Sequence, residues 1–179
     1  IDRSLVGSEM CIRDRKKYDV ERIAIIDWDV HHGNGTQDIF YEDGSVFYFS
    51  THQSPWYPHT GYRSETGEGK GEGTILNAPF PAGTAMKDIQ LAFKDGFLKA
   101  MREFKPDLVV ISAGFDSREA DPLGQFLLTD ADFRELTKLM MGLAETTAEN
   151  RVISVLEGGY SLEGVAAATT AHLETLIAG

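Results

Sequence analysis

The sequence predicts an α/β protein in which a parallel sheet is covered by helices. Three observations predict this class: short apolar runs rich in Val, Ile and Phe, helix-length patterns between them, and no repeat or linker dividing the 179 residues. The predicted strands are Arg22–Asp27, Ser45–Ser50, Asp107–Ala113 and Arg151–Leu156. The predicted helices are Thr36–Tyr41, Met86–Phe104, Asp130–Thr147 and Leu162–Ile177. Because strands and helices alternate, neighbouring strands should run parallel.

Local signals support these elements along the chain. Pro106 ends a helical pattern and lets the chain restart as a strand at Asp107. Thr129 and Asp130 supply a cap for the next helix. The apolar stripe of that helix is Phe133, Leu136, Leu139, Met140 and Leu143. The region from Thr51 to Gly83 is rich in glycine and proline and is predicted to be irregular, and loops of this length are usually functional.

Composition and charge restrict the possible partners. Apolar residues make up 42% of the chain, enough for a buried core. Asp and Glu total 28 against 17 Lys and Arg, and the net charge of -11 predicts no direct nucleic-acid binding and favours a cationic substrate. No apolar run approaches the roughly 20 residues that span a bilayer, so no membrane association is expected. The single cysteine fits a reducing intracellular compartment, the cytoplasm or the nucleus.

The first fifteen residues, IDRSLVGSEMCIRDR, differ in character from the rest. They show neither strand alternation nor a helical stripe, and they lack the apolar core of a signal peptide. The segment SLVGSEMCIRDR resembles a translated sequencing adapter. We therefore expect residues 1–15 to be non-native and residues 16–179 to be one part of a catalytic domain, so that Cys11 carries no functional weight. An ordinary flexible N-terminal arm is the alternative.

Acidic and histidine side chains follow the first predicted strand, in the segment DWDVHHGNG. Because side chains alternate along a strand, Asp27, Asp29 and His31 should project to one side, and the residues between them and His32 to the other. Two carboxylates and an imidazole in one place would be desolvated or mutually repulsive without a cation, and their donors suit zinc. For this segment alone, a hydrogen-bonded polar network is the alternative.

Polar residues also follow two further predicted strands, and the carboxyl ends of parallel strands meet at one edge of a sheet. Asp116 lies just beyond DLVVISA and could complete an Asp, His, Asp ligand set with a fourth position open for water, as catalytic zinc sites require. Tyr160 follows RVISVLEGG and could donate its hydroxyl to a developing oxyanion. Considered by itself, Asp116 would be interpreted as a turn or cap residue, and Tyr160 as an aromatic residue that packs to stabilise a turn. The agreement of three strand ends favours a hydrolytic metal site.

Four motifs together resemble the histone deacetylase superfamily, the zinc-dependent deacetylases that share a fold with arginase. They are DWDVHHGNGT, SPWYPHTG, SAGFDSREADPLG and LEGGYS, in the family's order and spacing from about Val20 to the C-terminus. The resemblance implies a three-layer arginase/deacetylase-like fold and hydrolysis of acetyl or other acyl groups from lysine side chains of proteins. It also implies one catalytic Zn2+ and one structural K+.

The resemblance assigns roles residue by residue. It implies that the zinc ligands are Asp29, His31 and Asp116 and that Tyr160 is the oxyanion-stabilising phenol. Asp27 is implied to orient a catalytic histidine, and Asn34 stands where other branches carry an aspartate that partners a second histidine. The implied K+ ligands are Asp27 and main-chain oxygens of Asp29, His31, Ser50 and Thr51. The implied substrate tunnel is formed by Tyr57, Leu123, Gly158 and Gly159.

The family's tandem histidine pair, which acts as general base and acid, lies upstream of the position of Asp27. His52, His59 and His172 do not match that motif, and His32 is expected to pack or hydrogen-bond structurally. We therefore expect the chain to be the C-terminal half of a catalytic domain that is active as the intact parent and inactive alone. The sequence indicates no oligomeric state.

Three alternatives remain open. The polyamine-selective branch carries an acidic gatekeeper where this chain has Leu123, so acyl-lysine is favoured over small acylated amines such as acetylpolyamines. An arginase-like hydrolase with two manganese ions would need extra carboxylate ligands where Gly33 and Arg118 stand. A non-catalytic acyl-lysine binding module would keep the fold, and the missing histidines leave it open.

Overall fold

A computed structural model of the chain describes residues 20–179. The expectations for residues 1–15 and for a start at Lys16 lie outside the described residues. The sheet has five strands, all parallel, in the order β3-β2-β1-β4-β5. The strands are β1 (Ile23–Asp27), β2 (Val46–Gln53), β3 (Ile75–Phe80), β4 (Leu108–Ala113) and β5 (Val152–Leu156). The predicted α/β class with a parallel sheet and flanking helices is confirmed.

Helices connect the strands. They are α1 (Asn34–Phe40), α2 (Met86–Leu91), α3 (Leu98–Phe104), α4 (Asp130–Thr147) and α5 (Leu162–Ala178). A π-helical turn, Ala92–Phe97, joins α2 to α3, so the single helix predicted from Met86 to Phe104 is helical throughout but irregular at its centre. Within residues 20–179 no helix combines the length and apolarity needed to cross a membrane.

The core lies on both faces of the sheet. On one face Phe49 packs against Phe93 and Phe97, with ring centroids 4.9 Å apart in both pairs. The stripe of α4 covers the neighbouring strands of that face, with Phe133, Leu136, Met140 and Leu143 buried and Leu139 partly buried. The other face buries Ile23, Ile25, Val46, Tyr48, Ile75, Leu108 and Val110 with Phe40 of α1. The central strands are therefore apolar on both sides, as the short apolar runs predict.

The capping prediction for α4 is confirmed. The Thr129 hydroxyl accepts from the Asp132 N–H at 3.3 Å, and the Asp132 carboxylate accepts from the Thr129 N–H at 2.8 Å. This reciprocal pair is a capping box with aspartate in place of the usual glutamate. It satisfies two backbone donors at the start of the longest helix among the described residues.

The prediction of an irregular region from Thr51 to Gly83 is wrong in part. β2 continues to Gln53, and β3 lies within the region. The segment forming β3, ILNAPF, contains Asn77 and Pro79, residues that disfavour a strand in a sheet interior. Because β3 is an edge strand of this sheet, the missing N–H of Pro79 costs no ladder bond. The polar end of β2 is stabilised by side-chain bonds, including His52 Nδ1 to Ser50 Oγ at 2.9 Å.

Candidate metal centre and active-site pocket

The segment that follows β1 leaves the sheet at Asp27 and turns through residues 28–33 before α1 begins. Its carboxylates accept hydrogen bonds from its own backbone. Asp27 Oδ1 accepts from the Asp29 N–H at 3.1 Å, and Asp29 Oδ1 accepts from the His31 N–H at 2.8 Å. These bonds hold all three side chains at one pocket although the strand has ended. Trp28 and Val30 are buried in the apolar core, as the alternation predicts.

Asp29, His31 and Asp116 converge on one point. Each offers one donor atom, and these atoms lie within 4.8 Å of one another. Nδ1 of His31 is 2.9 Å from Asp29 Oδ1 and 3.1 Å from Asp116 Oδ2. Asp116 follows β4, and β4 is the sheet neighbour of β1, so residues far apart in sequence meet at one edge of the sheet.

The outer oxygen of each carboxylate accepts a backbone hydrogen bond. Gly158 N–H donates to Asp29 Oδ2 at 2.8 Å, and Val30 N–H donates to Asp116 Oδ1 at 2.7 Å. The Asp116 side chain is fully buried, and 22% of the His31 side chain is exposed. These bonds orient both carboxylates, so that the other oxygen of each faces Nδ1 of His31. Such outer contacts orient ligands in metal sites.

The electrostatics of this cluster demand a positive charge at its centre. Burial opposes the charged form of His31, but hydrogen bonds to Asp116 and Asp29 overcome it and raise the pKa of His31 to about 10. Burial, together with repulsion from Asp29, raises the pKa of Asp116 to about 7. A bound cation would meet the same demand in place of these protons. The donor set of two carboxylates and one imidazole therefore fits a zinc ion.

Two glycines permit the backbone to approach the cluster. A Cβ atom built on Gly158 would collide with carboxylate oxygens of Asp116 and Asp29, and one built on Gly114 would collide with Asp29. Both glycines are therefore required for space. Gly159 has a φ of 148°, which L side chains rarely adopt. The two glycines before Tyr160 thus allow the close approach and the unusual backbone angle of this segment.

A pocket of about 350 Å3 opens beside the cluster. It is lined by Asp27, Asp29, His31, His32, Gly33, Asn34, Gly35, Thr36, Tyr57, Ser112, Glu157, Gly158 and Tyr160. The rings of Tyr160 and Tyr57 lie edge-on to His31, with centroids at 6.2 and 6.3 Å. Burial and the negative charges of Asp116 and Asp29 raise the pKa of Tyr160, so its phenol is protonated at neutral pH. It can serve as a hydrogen-bond donor at the pocket.

Asp27 is buried at the base of this pocket. Its Oδ2 accepts from the Tyr48 hydroxyl at 2.8 Å, and burial with repulsion from Asp29 raises its pKa well above the usual range. Ser50 lies opposite Asp27 in the ladder between β1 and β2, and Thr51 follows it, also buried. The residues whose main-chain oxygens are predicted to bind K+ with Asp27 thus follow Asp27 in the chain or lie beside it on β2, and the K+ site itself stays a prediction.

His32 and His52 make structural hydrogen bonds through their rings. His32, which alternation places away from the acidic side chains, lines the pocket, but its Nδ1 lies 2.7 Å from Thr60 Oγ1 and its Nε2 3.0 Å from Gln37 Oε1. His52 is buried, and His59 is exposed in the loop after β2. The expectation of a structural role for His32 is confirmed, although its predicted orientation is wrong.

The loop after β4 contains a contact that the sequence reasoning missed. Leu123, predicted as a tunnel residue, is half-exposed and does not line the pocket. Its loop instead reaches the Tyr160 segment through Asp121, whose Oδ2 accepts from the Tyr160 N–H at 2.9 Å. The only sequence signal for Asp121 is its place before Pro122, which is typical of turns. Glu157, which lines the pocket beside Gly158, was also not singled out.

Comparison with known proteins supplies independent findings. The family model described as "Histone deacetylase domain" matches residues 8–176. The chain is 44% identical over 163 residues to a probable deacetylase of Archaeoglobus fulgidus, covering 91% of this chain and 45% of that protein. It is 40% identical over 163 residues to histone deacetylase 14, chloroplastic, of Arabidopsis thaliana, covering 91% of this chain and 38% of that protein. The crystal structure of the HDA15 HD domain matches with a TM-score of 0.89 at 36% identity, covering 96% of this chain and 48% of that one. The chain thus spans less than half the length of each relative.

Proposed function

Because the chain belongs to the histone deacetylase domain family, we propose that it carries the metal centre of a zinc-dependent hydrolase that removes acetyl groups from lysine side chains of proteins. The observation that carries the proposal is the convergence of Asp29, His31 and Asp116 beside Tyr160 at one pocket. Amide hydrolysis requires a polarised carbonyl and a stabilised oxyanion, and these four residues fit the two tasks.

The positions of the residues support the roles that we propose for them. A zinc ion held by the three donors would polarise the acyl carbonyl and lower the pKa of a bound water. Tyr160 donates its phenol hydrogen to the carbonyl oxygen, where negative charge develops as water adds to the carbon. Tyr57 offers an aromatic wall to the aliphatic part of the lysine side chain. The C–N bond then breaks, and acetate and the lysine amine leave.

The leaving amine needs a proton, and within residues 20–179 the pocket is lined by no histidine besides His31 and His32. We therefore assign the general base and acid to histidines outside the described residues, with Asp27 and Asn34 as their orienting partners. The greater length of the relatives supports this assignment. A K+ ion beside Asp27 would offset the cost of burying that carboxylate.

An acetate-release assay on the full-length gene product with an acetyl-lysine peptide tests the proposal. We expect the activity to vanish on chelation and to return with zinc. Tyr160→Phe should lower kcat by about 100- to 1,000-fold, as expected for loss of one oxyanion donor. The described chain alone should bind zinc and release no acetate. A rate that survives both chelation and Tyr160→Phe would contradict the proposal.

Substrate class is tested by direct comparison. Leu123 is apolar where an acidic residue would favour a polyamine, so the full-length protein should hydrolyse acetyl-lysine peptides faster than acetylspermidine. Equal or reversed rates would contradict this preference.

Metal stoichiometry and turnover distinguish the competing functions. Residues 20–179 contain one group of three candidate ligands, so metal analysis should find one zinc per chain. Two metals per chain would favour an arginase-like centre. Peptide binding by the full-length protein without acetate release would favour a binding module.

A further inference from the structure

Two loops meet beside the metal cluster: residues 118–125 after β4 and residues 158–161 after β5. One carboxylate, that of Asp121, binds the backbone of both. Its Oδ1 accepts from the N–H groups of Leu123 and Gly124 at 2.9 and 3.0 Å. Its Oδ2 accepts from the N–H groups of Tyr160 and Ser161 at 2.9 and 3.3 Å.

Other bonds hold the two ends of the Tyr160 segment: Gly158 is bonded to Asp29 and Phe115, and Ser161 caps α5. The N–H groups of Tyr160 and Ser161 donate to Asp121. β5 ends at Leu156, so the N–H groups of Tyr160 and Ser161 lie beyond the sheet ladder. The Tyr160 side chain is 48% exposed, and its ring meets His31 only edge-on at 6.2 Å. Side-chain packing therefore restricts the phenol weakly. The two hydrogen bonds to Asp121 therefore act directly on the backbone that carries the phenol.

We infer that Asp121 is a positioning residue: its carboxylate holds the segment that carries Tyr160 beside the metal cluster and ties it to the loop of Leu123. The inference rests on the proposed function, in which Tyr160 donates to the acyl oxygen. A displaced phenol misses the oxygen on which charge develops in the transition state. Loss of Asp121 should therefore lower kcat with little change in KM.

Amide hydrogen exchange on the 179-residue chain tests directly whether Asp121 restrains the loop that carries Tyr160. Asp121→Ala removes all four acceptor contacts, and the Tyr160 and Ser161 amides should then exchange about tenfold faster or more. Amides of β4 such as that of Val110 should keep their rates, which separates a local release from general unfolding. Glu119→Gln is the matched control, because it removes one charge from an exposed position in the same loop.

Unchanged exchange at Tyr160 and Ser161 in folded Asp121→Ala would overturn the inference. If that variant does not fold, Asp121→Asn keeps the side-chain shape and one acceptor oxygen. In either orientation its amide group faces one pair of N–H groups, so one pair must exchange faster. Unchanged exchange of the amides of Leu123, Gly124, Tyr160 and Ser161 would also overturn the inference.

Kinetics of the full-length gene product test the link to Tyr160. Asp121→Ala should lower kcat about tenfold or more while KM changes little, and in a Tyr160→Phe background it should cost nothing further. An equal loss in both backgrounds would overturn the inference, because Asp121 would then act independently of the phenol. Absence of acetate release by the unmodified protein would instead refute the proposed function, and the exchange experiment would still decide whether Asp121 holds the loop.

Discussion

At the residue scale, the cluster of Asp29, His31 and Asp116 leaves no room for a side chain at position 158, next to the carboxylates of Asp29 and Asp116. Gly158→Ala places a methyl group against oxygens of Asp116 and Asp29, and its donation to Asp29 Oδ2 at 2.8 Å is disturbed as well. Because the ligands themselves must move, the loss of zinc affinity should exceed the roughly 10- to 100-fold cost of a typical outer-contact substitution. Competition titration against a chelator measures it.

Gly142 provides the matched control for this substitution. It lies inside α4, and a Cβ built on it meets no heavy atom within 4 Å. Gly142→Ala should therefore raise the free energy of unfolding by about 0.5–1 kcal/mol and leave zinc affinity unchanged. Equal zinc affinities in the two alanine variants would show that the approach of Gly158 is not limiting.

Protons and zinc compete for the same donor atoms, so zinc affinity should depend on pH with a sign that follows from the pKa values of His31 and Asp116. The pKa of His31 is raised to about 10 and that of Asp116 to about 7, so at neutral pH the metal-free site holds at least one proton. Zinc must displace it, and removal of one proton strengthens apparent binding about tenfold per pH unit. Zinc affinity should accordingly rise from pH 7 to pH 8. A flat profile in the same competition titration would contradict a protonated His31.

At the element scale, His172 connects α5 to its neighbours. Its Nδ1 lies 2.7 Å from Thr137 Oγ1 of α4, and its Nε2 lies 2.8 Å from Ser154 Oγ of β5. Burial lowers the pKa of His172 to about 4. The ring is thus neutral in the folded protein, and it connects two helices and one strand.

The lowered pKa of His172 predicts a loss of stability in acid. The unfolded chain binds a proton near pH 6.5 and the folded chain only near pH 4, so the contribution is present above pH 6.5 and is lost as pH falls. From pH 7 to pH 5 the loss amounts to about 2 kcal/mol. In urea unfolding, His172→Gln should lose about 2 kcal/mol less over this interval than the unmodified chain. Equal losses of stability in the variant and the unmodified chain would contradict the lowered pKa of His172.

Elements with strong local signals were predictable, and those defined by their neighbours were not. The apolar runs of β1, β4 and β5 and the capped stripe of α4 follow from local sequence alone. β3 was missed because Asn77 and Pro79 disfavour strands. The place of β3 at the edge of the sheet accommodates Pro79, and a hydrogen bond from Asn77 Nδ2 to Gln37 Oε1 at 2.7 Å accommodates Asn77. The convergence of Asp29, His31 and Asp116 was predictable because these residues follow recognisable strands. The link from Asp121 to Tyr160 joins residues 39 positions apart, and no local pattern predicts it.

At the scale of the whole molecule, the cluster of Asp29, His31 and Asp116 brings together segments that follow neighbouring strands and lie beyond the ladder of the sheet. Its donors follow β1 and β4, and the backbone after β5 binds one of them through Gly158. Three neighbouring strand ends thus meet at one point of the sheet edge. A ligand bound there stabilises the folded chain as a unit, because the unfolded chain does not bring the donors together.

Zinc should therefore raise the melting temperature of the described chain. At a free zinc concentration of about 100 times Kd, linkage adds about 2.7 kcal/mol to the free energy of unfolding. For a chain of this size each kcal/mol corresponds to roughly 2–4 °C, so a rise of roughly 5–10 °C is expected in calorimetry. His31→Ala should abolish the rise, whereas His59→Asn, at an exposed position with a φ of 67° that asparagine tolerates, should retain it. An equal rise in His31→Ala would mean that zinc stabilises the fold from another place, and the cluster after β1 and β4 would then not be the metal centre.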